Sequence, residues 1–323
     1  MSFDLPARFS QPHESPSPDS GECEENCCRC CRAREKALEL TWWDHGPEWG
    51  SPLTPGILSD NIAIGHREGS VRVDLWREWP RMLIGLREIG PVLTMTRNSS
   101  AALGIWRQYP DLEWMDSRAS DDQGEFDFDL RYWARAYARH QRGNEGHIFA
   151  AEFHDHDGVC FHRVCLINDS SLEGFTEWAR VHQAVKAVNP PPPPQDDPLP
   201  EPIGAGGWRN ASPGTFTHLL QECLDRELPV RAIVGCAAAT QAHRFVPRKL
   251  STFDGWTYCH GDEVALHFLP ENIADVRLHD LGSAEAPCWT LRAYDFAGAL
   301  VLMLLPGASE RLPMWNFLAS KLG

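Results

Sequence analysis

Five thiols crowd into nine residues: Cys23, Cys27, Cys28, Cys30 and Cys31. Thiolates select soft ions such as zinc, copper(I) or the iron of iron–sulfur clusters. A standard zinc site, however, takes two ligand pairs separated by a loop. Adjacent cysteines do not converge easily on one ion. The cluster therefore reads as a soft-metal site, as an incidental tail, or as a place for acylation. A second group of ligand-type residues is His154, His156 and His162 on one hairpin. His154 and His156 stand two apart at a turn edge, which reads better as a solvated turn than as a metal site. The carboxylate pairs Asp121–Asp122 and Asp196–Asp197 lie in loops with no partner base. No nucleophile elbow, phosphate loop, dinucleotide glycine pattern or His-Glu-x-x-His is present.

The elements that must position such residues are clearest from Arg81 to His182. Met82, Leu83, Leu86 and Ile89 fit a short amphipathic helix stopped at Gly90–Pro91. Val92–Met95 reads as a strand and Asn98–Gly104 as a turn with a helix start. Leu112–Met115 reads as a strand, and the stretch from Asp116 to Glu125 as an acidic loop. Phe126–Leu130 alternates as a half-buried strand does. The following RYWARAYARH places Trp133, Ala136 and Tyr137 at helical spacing. HIFAAEFH and VCFHRVCL are two strands joined by a turn at Asp155–Gly158. A helix over Leu172–Val188 is capped by Ser170 or Ser171.

Residues 1–40 form a tail poor in apolar side chains at its start, expected to be disordered. Residues 41–188 make the first module with its Trp- and Pro-rich lead-in. Residues 189–207, NPPPPPQDDPLPEPIGAGG, make a polyproline spacer with a glycine-rich end. Residues 208–323 make the second module, which repeats the order of the first. A helix over Thr217–Arg226 precedes the strand ELPVRAIVGC. A middle segment and a hairpin with its turn at Asp295–Gly298 follow. The last helix puts Trp315 where the first module has Trp178. The expected fold class is α+β, with two tandem structural repeats, each an antiparallel β-sheet flanked by helices.

The 323 residues carry a formal charge of −15 and are 42% hydrophobic. That field disfavours nucleic acid and anionic lipid as partners. The first residues contain no apolar signal core, and no apolar run approaches a membrane span. The expectation is a cytoplasmic protein, its scattered cysteines small buried hydrophobes.

The segments REIGPVLTMTRNSSAALG, DFDLRYWARAYA, AEFHDHDGVCFHRVCL, LPVRAIVGCAAATQAH and WTYCHGDEVALHFLPENIADV occur in an order that resembles the haemin-degrading factor, or haemin transport, family (HemS/ChuX-like haem-utilisation proteins). The resemblance covers roughly 70–322. It implies haem held in a cleft between the repeats, an axial histidine, and basic side chains on the propionates. It implies a cytoplasmic haem (tetrapyrrole) binding and trafficking protein, with a protein partner for hand-over. A relative using the cleft for another ligand or a protein partner, and a haem-degrading enzyme, are the alternatives. In the family the axial histidine sits on the connector between repeats, but here no His occurs from Asn189 to Thr217. A basic pair after IADV is replaced by Leu278, His279, Asp280 and Leu281. The tyrosine of the last hairpin is replaced by Leu304, Leu305 and Pro306. His243 matches the family's Gln-x-His position, and His218 is the first histidine after the spacer; these are the axial candidates. Arg131 matches the family's DLR arginine, and Arg97 of TRN is a second candidate for the propionates. His267, between Leu266 and Phe268, reads as a core histidine.

Overall fold

The computed structural model describes residues 70–143, 146–167, 169–184, 208–253, 255–282 and 287–321. The cysteine cluster, the lead-in at 41–66 and the spacer at 189–207 lie outside the described residues. In the first half the chain runs β1 (Ser70–Asp74), α1 (Trp79–Leu86), β2 (Pro91–Arg97), β3 (Ala101–Gln108), β4 (Glu113–Met115), β5 (Arg118–Ser120), β6 (Phe126–Asp129), β7 (Arg135–Gly143), β8 (Gly146–His154), β9 (Cys160–Leu166) and α2 (Leu172–Val181). In the second half it runs β10 (Trp208–Ala211), α3 (Thr215–Asp225), β11 (Val230–Cys236), β12 (Ala239–Phe245), β13 (Lys249–Phe253), β14 (Trp256–His260), β15 (Val264–Phe268), β16 (Asp275–Asp280), β17 (Trp289–Tyr294), β18 (Leu300–Pro306) and α4 (Leu312–Ser320).

The local chemistry of the turns explains much of this. Asp155 accepts from the amides of Asp157 and Val159 with one carboxylate oxygen, and Asp295 does the same with Ala297 and Ala299. Gly158 and Gly298 each supply the positive φ (80° and 81°) that the turn requires. Ser171 caps α2 by accepting from the amide of Gly174. Gly85 of α1 lets α2 approach closely. A Cβ there would lie 2.8 Å from the Trp178 ring, whose Nε1–H donates to the Met82 carbonyl.

Four expectations are corrected. RYWARAYARH is not a helix: Arg135 begins β7, after a single 3-10 turn at Leu130–Tyr132. Ala136 and Ala138 face the core, while Tyr137 on the other face is also buried under the Arg72 guanidinium. A strand buried on both faces loses its polar alternation, so its apolar spacing can mimic a helix. Asn98–Gly104 likewise starts no helix. Asn98 closes a turn into β3, whose first six residues are all buried. The acidic loop contains β5, a short strand inside a three-stranded meander. The helix from Leu172 ends at Val181, because the amide of Trp76 and the carbonyl of Asp74 draw His182 and Ala184 into extended pairing.

Both sheets are antiparallel and nine-stranded, with orders β1-β7-β8-β9-β2-β3-β15-β14-β13 and β10-β16-β17-β18-β11-β12-β6-β5-β4. Neither sheet stays within one half of the chain. Strands β13–β15 extend the first half's sheet through the β15–β3 pairing. Strands β4–β6 extend the second half's sheet through the β6–β12 pairing. The sheets meet face to face where β2–β3 crosses β11–β12, with Gln241 reaching Thr94. Each apolar core is consequently mixed. Helices α3 and α4 pack with β11 and β16–β18, but also with Ala101, Leu103 and Ile105 of β3. Helices α1 and α2 pack with β7–β9, and Phe126, Phe128, Ala238 and Ala239 complete that core.

Two polar side chains fix this arrangement. Asn98 Oδ1 accepts from the amides of Ser100 and Ala101, while Nδ2 donates to the carbonyls of Gly235 (3.0 Å) and Val301 (2.7 Å) in the other half. His162 is fully buried among Phe126, Phe128, Trp133 and Phe153. Its Nδ1 bonds Thr96 Oγ1 at 2.9 Å and its Nε2 bonds the Tyr109 hydroxyl at 3.3 Å. Burial pushes its pKa down to about 3.

Replacing Asn98 by Ala strands groups at four bonds, and should lower the unfolding free energy by about 2–4 kcal/mol in urea titration. His162 gives a pH signature. Unfolded, it titrates near 6.5; folded, near 3. Between those values the unfolded chain holds the extra proton. Its contribution is complete above the unfolded pKa and is lost as the pH falls. Between neutral pH and pH 5 the parent protein should lose about 2 kcal/mol more than His162→Gln, measured by equilibrium denaturation.

Candidate functional site

His243 lies on β12, opposite Ala232 of β11. Its Nδ1 is 2.8 Å from Oε1 of Glu125, the residue that precedes β6. Arg107, from the end of β3, pairs with the other oxygen of Glu125 and sets its guanidinium 5.4 Å over the Phe126 ring. Asp121 fixes the loop beneath by accepting from the amides of Glu125 and Phe126, both at 2.7 Å. Burial alone would raise the Glu125 pKa, but the His243 hydrogen bond and the Arg107 charge hold it below its usual value. The carboxylate is therefore an acceptor only, so Nδ1 carries the hydrogen and Nε2 is the nitrogen that remains for a ligand. A carboxylate holding one imidazole nitrogen is how ligating histidines are oriented.

A second polar group sits on the opposite face of the first half's sheet from α1 and α2. Arg97, at the end of β2, is half-buried, and desolvation lowers its pKa to about 10 against the partial offset of nearby Cys160, Cys236 and Asp155. Glu152 on β8 is 3% exposed. It lies between Arg163 (3.4 Å) and Arg139 (3.3 Å), with His154 Nε2 at 3.5 Å. Burial works against its charge, but Arg163, His154 and Arg139 hold Glu152 well below the usual carboxylate range. Burial also opposes the charged form of His154. The Cys160 sulfur and the Glu152 carboxylate outweigh it and raise that pKa well above 6.5.

The other sequence candidates are dispersed. His218 is exposed on α3, in a shallow groove with Glu222, Arg226, Phe317 and Lys321. It shares no described partner with His243. Arg131 is half-exposed and gripped by Asp129, with Nε 2.9 Å from Oδ1. His156 bonds the Arg131 carbonyl, while His154 turns inward, so the hairpin is not the solvated turn its sequence implies at that residue. His267 is 1% exposed beside Tyr258 and His260, where burial and the neighbouring imidazole push its pKa well below 6.5. Cys23, Cys27, Cys28, Cys30 and Cys31 lie outside the described residues. Among the described residues, no group of three His, Cys, Asp or Glu is placed to hold a metal ion, and no helix is long and apolar enough to cross a membrane.

Sequence reasoning missed Glu125, Arg107 and the Glu152–Arg163 pair. It also placed Asp121 in a loop without a basic partner, whereas Arg107 stands 3.9 Å away. Glu125 and His243 are 118 residues apart, and nothing local marks either as the other's partner.

No protein-family model and no curated protein matches this chain in sequence. Its structure does find matches. Apo-PhuS, a haem-binding protein from Pseudomonas aeruginosa, superposes with a TM-score of 0.69 at 17% identity, over 89% of this chain and 98% of that one. Holo-PhuS gives 0.70 at 17% identity over 90% and 99%. The haem-degrading enzyme ChuS from Escherichia coli O157:H7 gives 0.71 at 13% identity over 89% and 98%. This chain therefore has the fold of PhuS and ChuS over nearly their full length.

Proposed function

We propose that this chain is a divergent relative of the haem-utilisation proteins and binds haem or another tetrapyrrole, holding and delivering it rather than turning it over. The observation that carries the reading is the match of nearly the whole chain to PhuS and ChuS. Haem is cargo here, held in the cleft between two repeats that arose by duplication. Support for duplication comes from eleven elements recurring in the same order and from the matched Asp155 and Asp295 turns.

The residues present suit the cargo in kind. His243 offers Nε2 while Glu125 and Arg107 of the first half fix its ring, so both halves contribute to one imidazole. Bound iron would supply a Lewis-acidic centre for that nitrogen. Arg97 and Arg131 are the cations offered to propionates, and His218 is the second imidazole candidate. A cytoplasmic location and a protein partner for hand-over belong to the same reading. A second reading is a relative that keeps the fold and uses the cleft for another ligand. It is favoured by the missing connector histidine and by Arg131 being already engaged with Asp129.

Titration of the full-length protein with haemin should give a saturable Soret shift at micromolar protein. His243→Ala should weaken binding, and Glu125→Gln should weaken it roughly tenfold, the usual effect of losing a residue that orients a ligand. His218→Ala, at the second candidate, should weaken it less than His243→Ala does, and the reverse order makes His218 the ligand. Absence of a saturable shift overturns haem binding in favour of the second reading. Loss of the Soret band on adding reductant in air overturns delivery in favour of degradation.

A further inference from the structure

The first half's sheet has two faces, and the helices and the second sheet pack on one of them. Val92, Ala101, Leu103 and Val164 point that way. The alternate residues point the other way. Leu93 and Met95 of β2 pair there with Cys165 and Arg163 of β9, and Trp106 and Gly104 of β3 continue the same rows. A bare sheet face leaves such side chains standing in water. Here Met95 is 2% exposed and Trp106 5%, and Leu93, Cys165 and Arg163 are buried with them. Yet Leu93, Met95, Trp106 and Cys165 belong to neither apolar core, and among the described residues no helix or sheet packs on this outer face.

The second half shows that pairing within the sheet does not by itself bury these positions. At the corresponding places Ile233 pairs with Met303 and Arg231 with Leu305, and all four are only half-buried.

We infer that the outer face of the first half's sheet is a docking surface whose occupant is the chain's own segment 50–69. That segment lies outside the described residues. It runs directly into Ser70, which opens β1 at the edge of this same sheet. Its reach when extended is about 65 Å, whereas the sheet from β1 to β15 is about 29 Å wide. Its composition suits the face. Leu53, Ile57, Leu58, Ile62 and Ile64 supply apolar side chains for Met95, Trp106 and the small Ala102, Gly104 and Ala265 between them. Asp60 and Glu68 bring carboxylates to a face on which Arg97, Arg139 and Arg163 outnumber Glu152. The spacer at 189–207 is less suited. It has to end at Trp208 on the edge of the other sheet, and its large aliphatic side chains are Leu199 and Ile203 alone.

The face carries its own reporter in Cys165. In the full chain its labelling by iodoacetamide should be slow, like that of Cys223 and Cys259 in the other core. Replacing Ile57, Leu58, Ile62 and Ile64 together by Ser should speed Cys165 at least about tenfold, because burial is what keeps such a thiol inert. Cys223 and Cys259 should stay slow. Leu199→Ser combined with Ile203→Ser should leave Cys165 slow. A Cys165 that the first set leaves protected, or that the second set exposes, overturns the inference. If the first set exposes all three cysteines, the variant has unfolded and a photo-crosslink decides alone. With p-benzoylphenylalanine in place of Ile62 in the otherwise unsubstituted chain, adducts should fall on β2, β3, β9 or β15. Adducts confined to other elements, or formed with a second copy of the chain, overturn it.

Discussion

The amide of Asp129 donates to the carbonyl of Ala238, and the amide of Leu269 donates to the carbonyl of Ser100. These two bonds mark where each half hands three strands to the other. Everything else depends on that exchange. It gives β3 and β12 a partner on the side they would otherwise expose. It places Phe126 and Phe128 in a core otherwise built by the first half's helices and strands. It also carries Glu125 beside His243. Asn98 and Trp133 reinforce the exchange, each donating to carbonyls of the other half, and Trp133 Nε1 does so at 2.9 Å from Ala238.

The candidate residues divide according to their relation to this exchange. The Glu125–His243–Arg107 group exists only because strands from both halves meet, so its geometry reports on assembly of the whole. The Glu152–Arg163–His154–Cys160 group belongs to one half and one strand ladder. In both groups a carboxylate drawn away from solvent, half-buried at Glu125 and buried at Glu152, is kept ionised by neighbouring arginine, which offsets the cost of removing charge from water. In both, that carboxylate fixes one nitrogen of a histidine.

What was legible in the sequence follows the reach of the interactions. The turns at Asp155–Gly158 and Asp295–Gly298 were readable because an aspartate and a glycine specify them within five residues. The α1 helix was readable from its one buried stripe. Strands β3 and β7 were not, because partners on both faces erase alternation. The recurrence of element order was visible along the chain. The exchange of β4–β6 for β13–β15 was not, since an edge can be completed by any compatible strand and the choice is made far away in sequence. The site followed the same rule. His243 stood out through its setting and Arg97 through TRN, but the partners that define their chemistry come from distant segments.

The exchange also constrains the order of events during synthesis. The first half leaves the ribosome with β3 formed as an edge, its Ala101–Gln108 backbone unpaired on one side and its apolar faces uncovered. Its proper partner, Val264–Phe268, is made only after most of the second half. Meanwhile β4–β6 have no sheet to join. An unpaired apolar edge is an aggregation template. The nascent chain thus passes through a vulnerable interval that ends only when β15 and β12 have both emerged.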